Sequence, residues 1–179
     1  MAVLRLGHRP GRDERMTTHV GLTARALGAD RVILAEEGAS RRDTIEDITD
    51  RFGGPFEVET TGRPIGRLDG WAGAVVHLTM YGLPIRDTEQ EIRATHREGT
   101  PLLVTVGAEK VPFDVYEAAD WNVGVTNQPH SEVASLAVFL DRLFEGRELD
   151  REWDGARKRV VPQAEGKRVE GPERDRNRR

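Results

Sequence analysis

The 179-residue chain contains no cysteine. That excludes a disulfide framework, cysteine–zinc sites and a thiol nucleophile, and it makes the cytoplasm the expected compartment. No apolar run approaches the ~20 residues of a membrane-spanning helix, so no membrane partner is expected. The opening Met1-Ala-Val-Leu-Arg-Leu6 alternates like a strand and not like a secretion signal. Lysine occurs only at 110, 158 and 167, so arginine carries nearly all the positive charge. Trp71, Trp121 and Trp153 are too scattered to form a base-stacking platform and read as core or interface residues. The histidines, at 8, 19, 77, 96 and 130, form no H-x-x-x-H pair, so no metal is expected. Neither G-x-G-x-x-G opening a helix, nor G-x-x-x-x-G-K-[ST], nor G-x-S-x-G occurs. Dinucleotide, P-loop and nucleophile-elbow sites are thereby disfavoured.

The residues that are present describe one polar α/β domain. Hydrophobic residues make up 37% and charged residues 32%, enough for a core at this length but not for two domains. The net charge of −4 is unevenly spread: residues 157–179 hold nine basic and four acidic side chains, leaving −9 on the rest. Such a basic end on an acidic body reads either as a partner-binding extension or as a loose tail. Scarce lysine on an acidic body suits high ionic strength, and a GC-rich coding sequence would favour arginine equally.

Strand-like runs fall at Ala2–Leu6, Arg31–Ala35, Pro55–Thr60, Ala74–Met80, Leu102–Val106 and Trp121–Val125. Helical patterns fall between them, at Thr18–Leu27, Arg41–Phe52, Thr88–Arg97 and Pro112–Ala119, with a last one at Ser131–Glu145. The last is the clearest: Val133, Leu136, Ala137, Leu140, Leu143 and Phe144 recur at helical spacing, Ser131 can cap it and Gly146 can end it. Ser40 and Asp43 resemble a capping box for the second helix, which Gly53 ends. Thr88–Arg97 is poorly periodic and is expected to be exposed. Alternation of this kind specifies a mainly parallel sheet with helices on both faces. A domain over 1–150 is followed by a charged extension over 151–179 that is loose or separately docked.

Two backbone-rich loops, Gly107-Ala-Glu-Lys-Val-Pro112 and Val125-Thr-Asn-Gln-Pro-His-Ser-Glu132, follow strands, at the sheet edge where α/β domains bind small molecules. The loop after the first strand carries Arg9, Arg12 and Arg15, and Arg25 lies on the following helix. Guanidinium groups clustered at that edge suit phosphate recognition, while pairing with Asp13 and Glu14 would make the loop merely solvated.

The segment Leu6–Asp30, together with His77-Leu-Thr-Met-Tyr-Gly82, Gly107–Val111 and Asn127–Glu132, resembles the archaeal tRNA (cytidine-56) 2′-O-methyltransferase family. That family belongs to the SPOUT class of S-adenosylmethionine-dependent RNA methyltransferases, and the resemblance runs over about residues 2–150. It implies a C-terminal trefoil knot, which breaks the rule that chains avoid threading loops. It also implies a homodimer, a tRNA substrate and S-adenosyl-L-methionine as cofactor. Cofactor contacts are implied at Leu78, at Gly107, Ala108, Glu109, Lys110 and Val111, and at Val125, Thr126, Asn127, Gln128, Pro129, His130, Ser131 and Glu132. The family's ribose methyltransferases place an arginine six residues after a polar residue; His19 and Arg25 keep that spacing, with His19 in place of the usual asparagine. Arg25 is thus the first candidate to stabilise the 2′-oxygen, with Arg15 and Arg12 behind it and His19 a candidate base. His8 and His77 read as packing residues. Competing readings are a related enzyme acting on another RNA position, a non-catalytic RNA-binding homologue, and an unrelated doubly wound domain.

Overall fold

A computed structural model describes residues 1–7, 14–35, 40–107 and 110–171. Six strands form one parallel sheet in the order β3-β2-β1-β5-β4-β6. They are β1 (Ala2–Leu6), β2 (Arg31–Leu34), β3 (Glu57–Thr60), β4 (Ala74–Pro84), β5 (Leu102–Gly107) and β6 (Trp121–Gly124). The helices are α1 (Glu14–Ala26), α2 (Ser40–Phe52), α3 (Pro64–Asp69), α4 (Ile85–Arg97), α5 (Phe113–Ala118) and α6 (Glu132–Phe144).

The central strands are apolar on both sides because both sides are covered. Alternate side chains separate two cores, as the two-residue strand period requires. Val3, Val32, Leu34, Val76, Val104 and Val123 face α1, α2, α4 and α6, joined by Val20, Ile45, Ile92, Leu136 and Leu140. Ala2, Leu4, Ile33, Val75 and Leu103 face the shorter helices α3 and α5 through Leu68 and Val115. The mainly parallel sheet with helices on both faces is therefore as the sequence specified.

Three features differ from that reading. Helix α3 was not foreseen; it is short, and Pro64 starts it where a missing N–H costs nothing. Helix α4 is not an exposed element: it begins at Ile85 and buries Ile85, Thr88 and Ile92. Starting the pattern at Thr88 had cut off the residue that completes its apolar stripe. Its polar side is tied to α6, with Arg93 3.4 Å from Glu145 and 3.6 Å from Glu89, and Arg142 3.7 Å from Glu89. Finally, β4 runs past Met80 to Pro84. Its register against β6 shifts, so that Leu78 and Leu83 both lie opposite Val123 and residues 79–82 swing out between them.

That excursion packs directly on the chain leaving β6. Asn127 donates its side-chain amide to the carbonyls of Met80 and Gly82, at 2.7 and 3.0 Å. A Cβ on Gly82 would lie 2.5 Å from the backbone of Asn122 and Val123, leaving no room for any side chain.

The described part of the extension is docked. Trp153 covers Gly54, the Gly54 N–H donates to the Asp154 carbonyl at 2.9 Å, and the Lys158 N–H donates to the Arg51 carbonyl at 2.7 Å. Gly54 has φ 89, and the Trp153 ring occupies the space a Cβ would need. Beyond this anchor Arg159–Val161 and Arg168–Glu170 pair as an antiparallel hairpin, β7–β8. Strain from overpacking sets the expectation for the loop contact. Gly82→Ala should lower unfolding free energy by about 1–3 kcal/mol or more, read by urea denaturation; wild-type stability would contradict the close approach of the two loops.

Candidate active site

All six strands point the same way, so the β4, β5 and β6 exits share one edge, the position at which open α/β sheets bind ligands. A cavity of about 640 Å³ opens there, within the range of small-molecule sites. One wall is the end of β4 (His77, Leu78, Thr79, Met80 and Tyr81), and a second is Gly107, Lys110 and Val111 after β5. A third is His130, Ser131, Glu132 and Ser135 at the start of α6, and Tyr116 of α5 closes it.

Of the expected cofactor contacts, Leu78, Gly107, Lys110, Val111, His130, Ser131 and Glu132 come together here. Ala108 and Glu109 lie outside the described residues, as does Arg12. Val125, Thr126, Asn127, Gln128 and Pro129 lead from β6 towards the cavity without lining it, and Asn127 is spent on holding the β4 excursion. The start of α6 is fixed by Ser131, whose hydroxyl accepts from the Ala134 N–H at 3.2 Å. Ser135 donates to the Glu132 carbonyl at 2.9 Å.

Sequence reasoning gave no part in the site to Arg5, Thr79, Tyr116 or His77. Arg5, 1% exposed, has Nη2 3.5 Å from the Glu132 carboxylate and donates from Nη1 to the Leu6 carbonyl at 2.7 Å. Its place in an otherwise apolar β1 was the available signal, because a buried charge demands a partner. Thr79 and Tyr116 share a hydrogen bond of 3.1 Å between their hydroxyls. His77 stands edge-on to Tyr116 with ring centroids 4.6 Å apart, and its Nδ1 lies 2.9 Å from Asn122 Oδ1.

The arginines separate. Arg15 is exposed on the first turn of α1, on the cavity's edge of the sheet. Arg25 sits ten positions further on, about 15 Å along the axis at 1.5 Å per residue, at the opposite edge. It is 7% exposed, donates to the Gly53 carbonyl, and has Cζ 4.4 Å from the Trp153 ring centre, with Arg151 4.9 Å from the same ring. Burial, and then the Arg151 charge, lower the Arg25 pKa. Arg25 does not line the cavity, and the expected pairing of His19 with it lies in another place. His19 borders a shallow apolar groove with Leu22, Thr23 and Ala26 of α1 and Val133 and Ala137 of α6.

Burial lowers the His77 pKa, and the hydrogen bond that the ring donates to Asn122 Oδ1 only partly opposes this. The neutral ring is the form that fits, so stability contributed here is present above the unfolded-state value and is lost as pH falls below it. An NMR titration should find His77 protonating below the ordinary value of about 6.5; a midpoint at or above that value would contradict its buried, neutral role.

The family described as tRNA ribose 2′-O-methyltransferase, aTrm56, matches residues 52–170. A protein of Natronomonas pharaonis named tRNA (cytidine(56)-2′-O)-methyltransferase is 72% identical over 170 residues, covering 95% of this chain and 94% of its own. One of the same name from Thermococcus kodakarensis is 55% identical over 172 residues, covering 94% and 96%. Among solved structures, an RNA 2′-O ribose methyltransferase superposes with a TM-score of 0.58 at 15% identity, over 82% of this chain and 56% of that one. The SpoU methyltransferase AviRb of Streptomyces viridochromogenes, in complex with AdoMet, gives 0.50 at 18% identity, over 81% and 60%. These structural likenesses establish the SpoU-type fold. The sequence matches, spanning nearly the whole chain, establish that it belongs to the tRNA ribose 2′-O-methyltransferase family.

Proposed function

We propose that this protein transfers a methyl group from S-adenosyl-L-methionine to the ribose 2′-hydroxyl of cytidine 56 in tRNA, as a cytoplasmic homodimer. The observation that carries this reading is the cavity. Three chain segments that resemble the family's cofactor-binding motifs meet there, in a domain whose near-complete relatives bear that name. The residues suit the cofactor. Gly107 lets a ligand approach the main chain, Leu78 and Val111 supply apolar surface, and Glu132 offers a carboxylate that can accept from ribose hydroxyls. When bound, the cofactor supplies an electrophilic methyl group, and the protein's task is position and electrostatics.

A neutral 2′-hydroxyl is a weak nucleophile, so a cation beside it favours the oxygen as charge develops. Of the candidate arginines Arg15 and Arg25, Arg15 is the one exposed at the cavity's edge of the sheet and takes this role. Arg25 reads instead as the anchor of the C-terminal extension, since Gly53 and Trp153 occupy its guanidinium. The apolar groove between α1 and α6 supports a subunit interface. Among the described residues no helix is long and apolar enough to cross a membrane, and no group of three or more His, Asp or Glu could hold a metal. An acidic body approaching RNA is repelled in dilute salt, and the repulsion is screened at high ionic strength.

The test is methylation of an unmodified tRNA transcript at high salt, with the product located by nuclease digestion and nucleoside mass spectrometry. The expected product is 2′-O-methylcytidine at position 56. Methylation elsewhere would favour the related enzyme, and cofactor binding without product on any RNA would favour the non-catalytic homologue. Arg15→Ala should lower turnover on the order of 100-fold with cofactor affinity retained. Arg25→Ala should chiefly reduce stability; a selective loss of turnover in a stable, docked Arg25→Ala protein would return the catalytic role to Arg25.

A further inference from the structure

At and beside the cavity stand exposed aromatic rings that are not among the expected cofactor contacts. Phe113 is 71% exposed and Tyr81 is 76% exposed. Exposing whole rings forfeits the burial that normally places them inside. The tryptophans contrast with them: Trp71 donates to the Pro101 carbonyl at 3.1 Å, Trp121 donates to Glu91 at 3.2 Å, and Trp153 lies between two guanidinium groups.

Phe113 is not isolated. Its ring is inclined only 19° to that of Tyr116, with centroids 6.3 Å apart, and Tyr116 lines the cavity. Tyr116 is held rigidly, by the Thr79 hydroxyl at 3.1 Å, by the edge of His77, and by its own carbonyl, which accepts from Asn122 at 2.9 Å. Tyr81 lines the same cavity from β4. Lys110, one of only three lysines in the chain, is exposed and lines the same cavity.

We propose that Phe113, Tyr116 and Tyr81 form a stacking rim that receives a nucleobase of the RNA substrate, with Lys110 facing its phosphate backbone. This rests on the methyltransferase reading above and adds the part of the site that holds the substrate. Every base presents a π-face, so exposed rings held on a rigid support bind one without reading its identity. A nucleotide whose ribose enters the cavity must leave its neighbours in the RNA fold, and the rim replaces the stacking it loses. The occupant is identified by position: Phe113 stacks on Tyr116, which lines the cavity, so a base on Phe113 adjoins what reacts inside.

The test compares the full-length protein with Phe113→Ala, Phe113→Leu and Phe113→Trp, measuring affinity for an unmodified tRNA transcript and separately for S-adenosylhomocysteine. Loss of one base-stacking contact should weaken tRNA binding on the order of ten-fold in the Ala and Leu variants. Phe113→Trp should keep it, and cofactor-product affinity should not change. Unchanged tRNA affinity in Phe113→Ala, or full retention in Phe113→Leu, overturns the proposal. So does a change in subunit assembly by sedimentation with RNA affinity per subunit intact, which would make Phe113 an interface residue. Methyl transfer by the wild type is read independently. A wild type that binds tRNA but methylates none overturns the function, leaving the rim to be judged on the affinities.

Discussion

The cavity depends on the close approach of two loops. Residues 79–82 leave the sheet, cross the backbone of Asn122 and Val123 with only a hydrogen atom at Gly82 to spare, and return to pair again with β6. Asn127 fastens the crossing from the other side through the Met80 and Gly82 carbonyls. Were residues 79–82 to continue as ordinary strand, Thr79, Met80 and Tyr81 would lie along the sheet edge and one wall would be missing. Were the chain after β6 not held against them, the start of α6 could not face the end of β5. The same contact therefore closes the fold and shapes the site.

Charge is used differently on the two edges of the sheet. At the cavity edge the buried Arg5 guanidinium lies 3.5 Å from the Glu132 carboxylate, an ion pair at the first turn of α6. At the opposite edge Arg25 and Arg151 flank Trp153, and the aromatic ring and the Gly53 carbonyl offset the cost of bringing two cations together. The first arrangement sets the geometry of a binding surface. The second holds the C-terminal extension against the end of α2, so its hairpin is presented from a fixed base.

The sheet and most of its helices were legible because burial on both faces leaves long apolar runs and because α6 carries an unbroken helical stripe. Helix α4 was not legible as a packed element because Ile85, which completes its buried stripe with Thr88 and Ile92, lies ahead of the expected start. The hairpin was not legible at all: strands as short as Arg159–Val161 and Arg168–Glu170 carry no periodicity among their charges. Within the site, the segments after β4, β5 and β6 that the motifs named meet at one cavity, and they were legible because glycine and small polar residues stand out there in the sequence. Spacing alone does not tell where the arginine lies: Arg25 packs on Gly53 and Trp153 and does not line the cavity. The same six-residue interval from His19 to Arg25 suits a helix whose far end is bound to Trp153, and only the tertiary fold brings residue 25 against residue 153. The aromatic rim went unnoticed because Tyr81, Phe113 and Tyr116 come from separate elements.

The central claim is that one cavity, built on the β4–β6 loop crossing, holds the cofactor. It is tested most directly by amide hydrogen exchange with and without S-adenosylmethionine. Protection is expected at residues 78–81, at 107 and 110–111, and at 130–135, with little change in 153–158. Protection centred on α1 and the extension, with the three cavity segments unaffected, would contradict the claim.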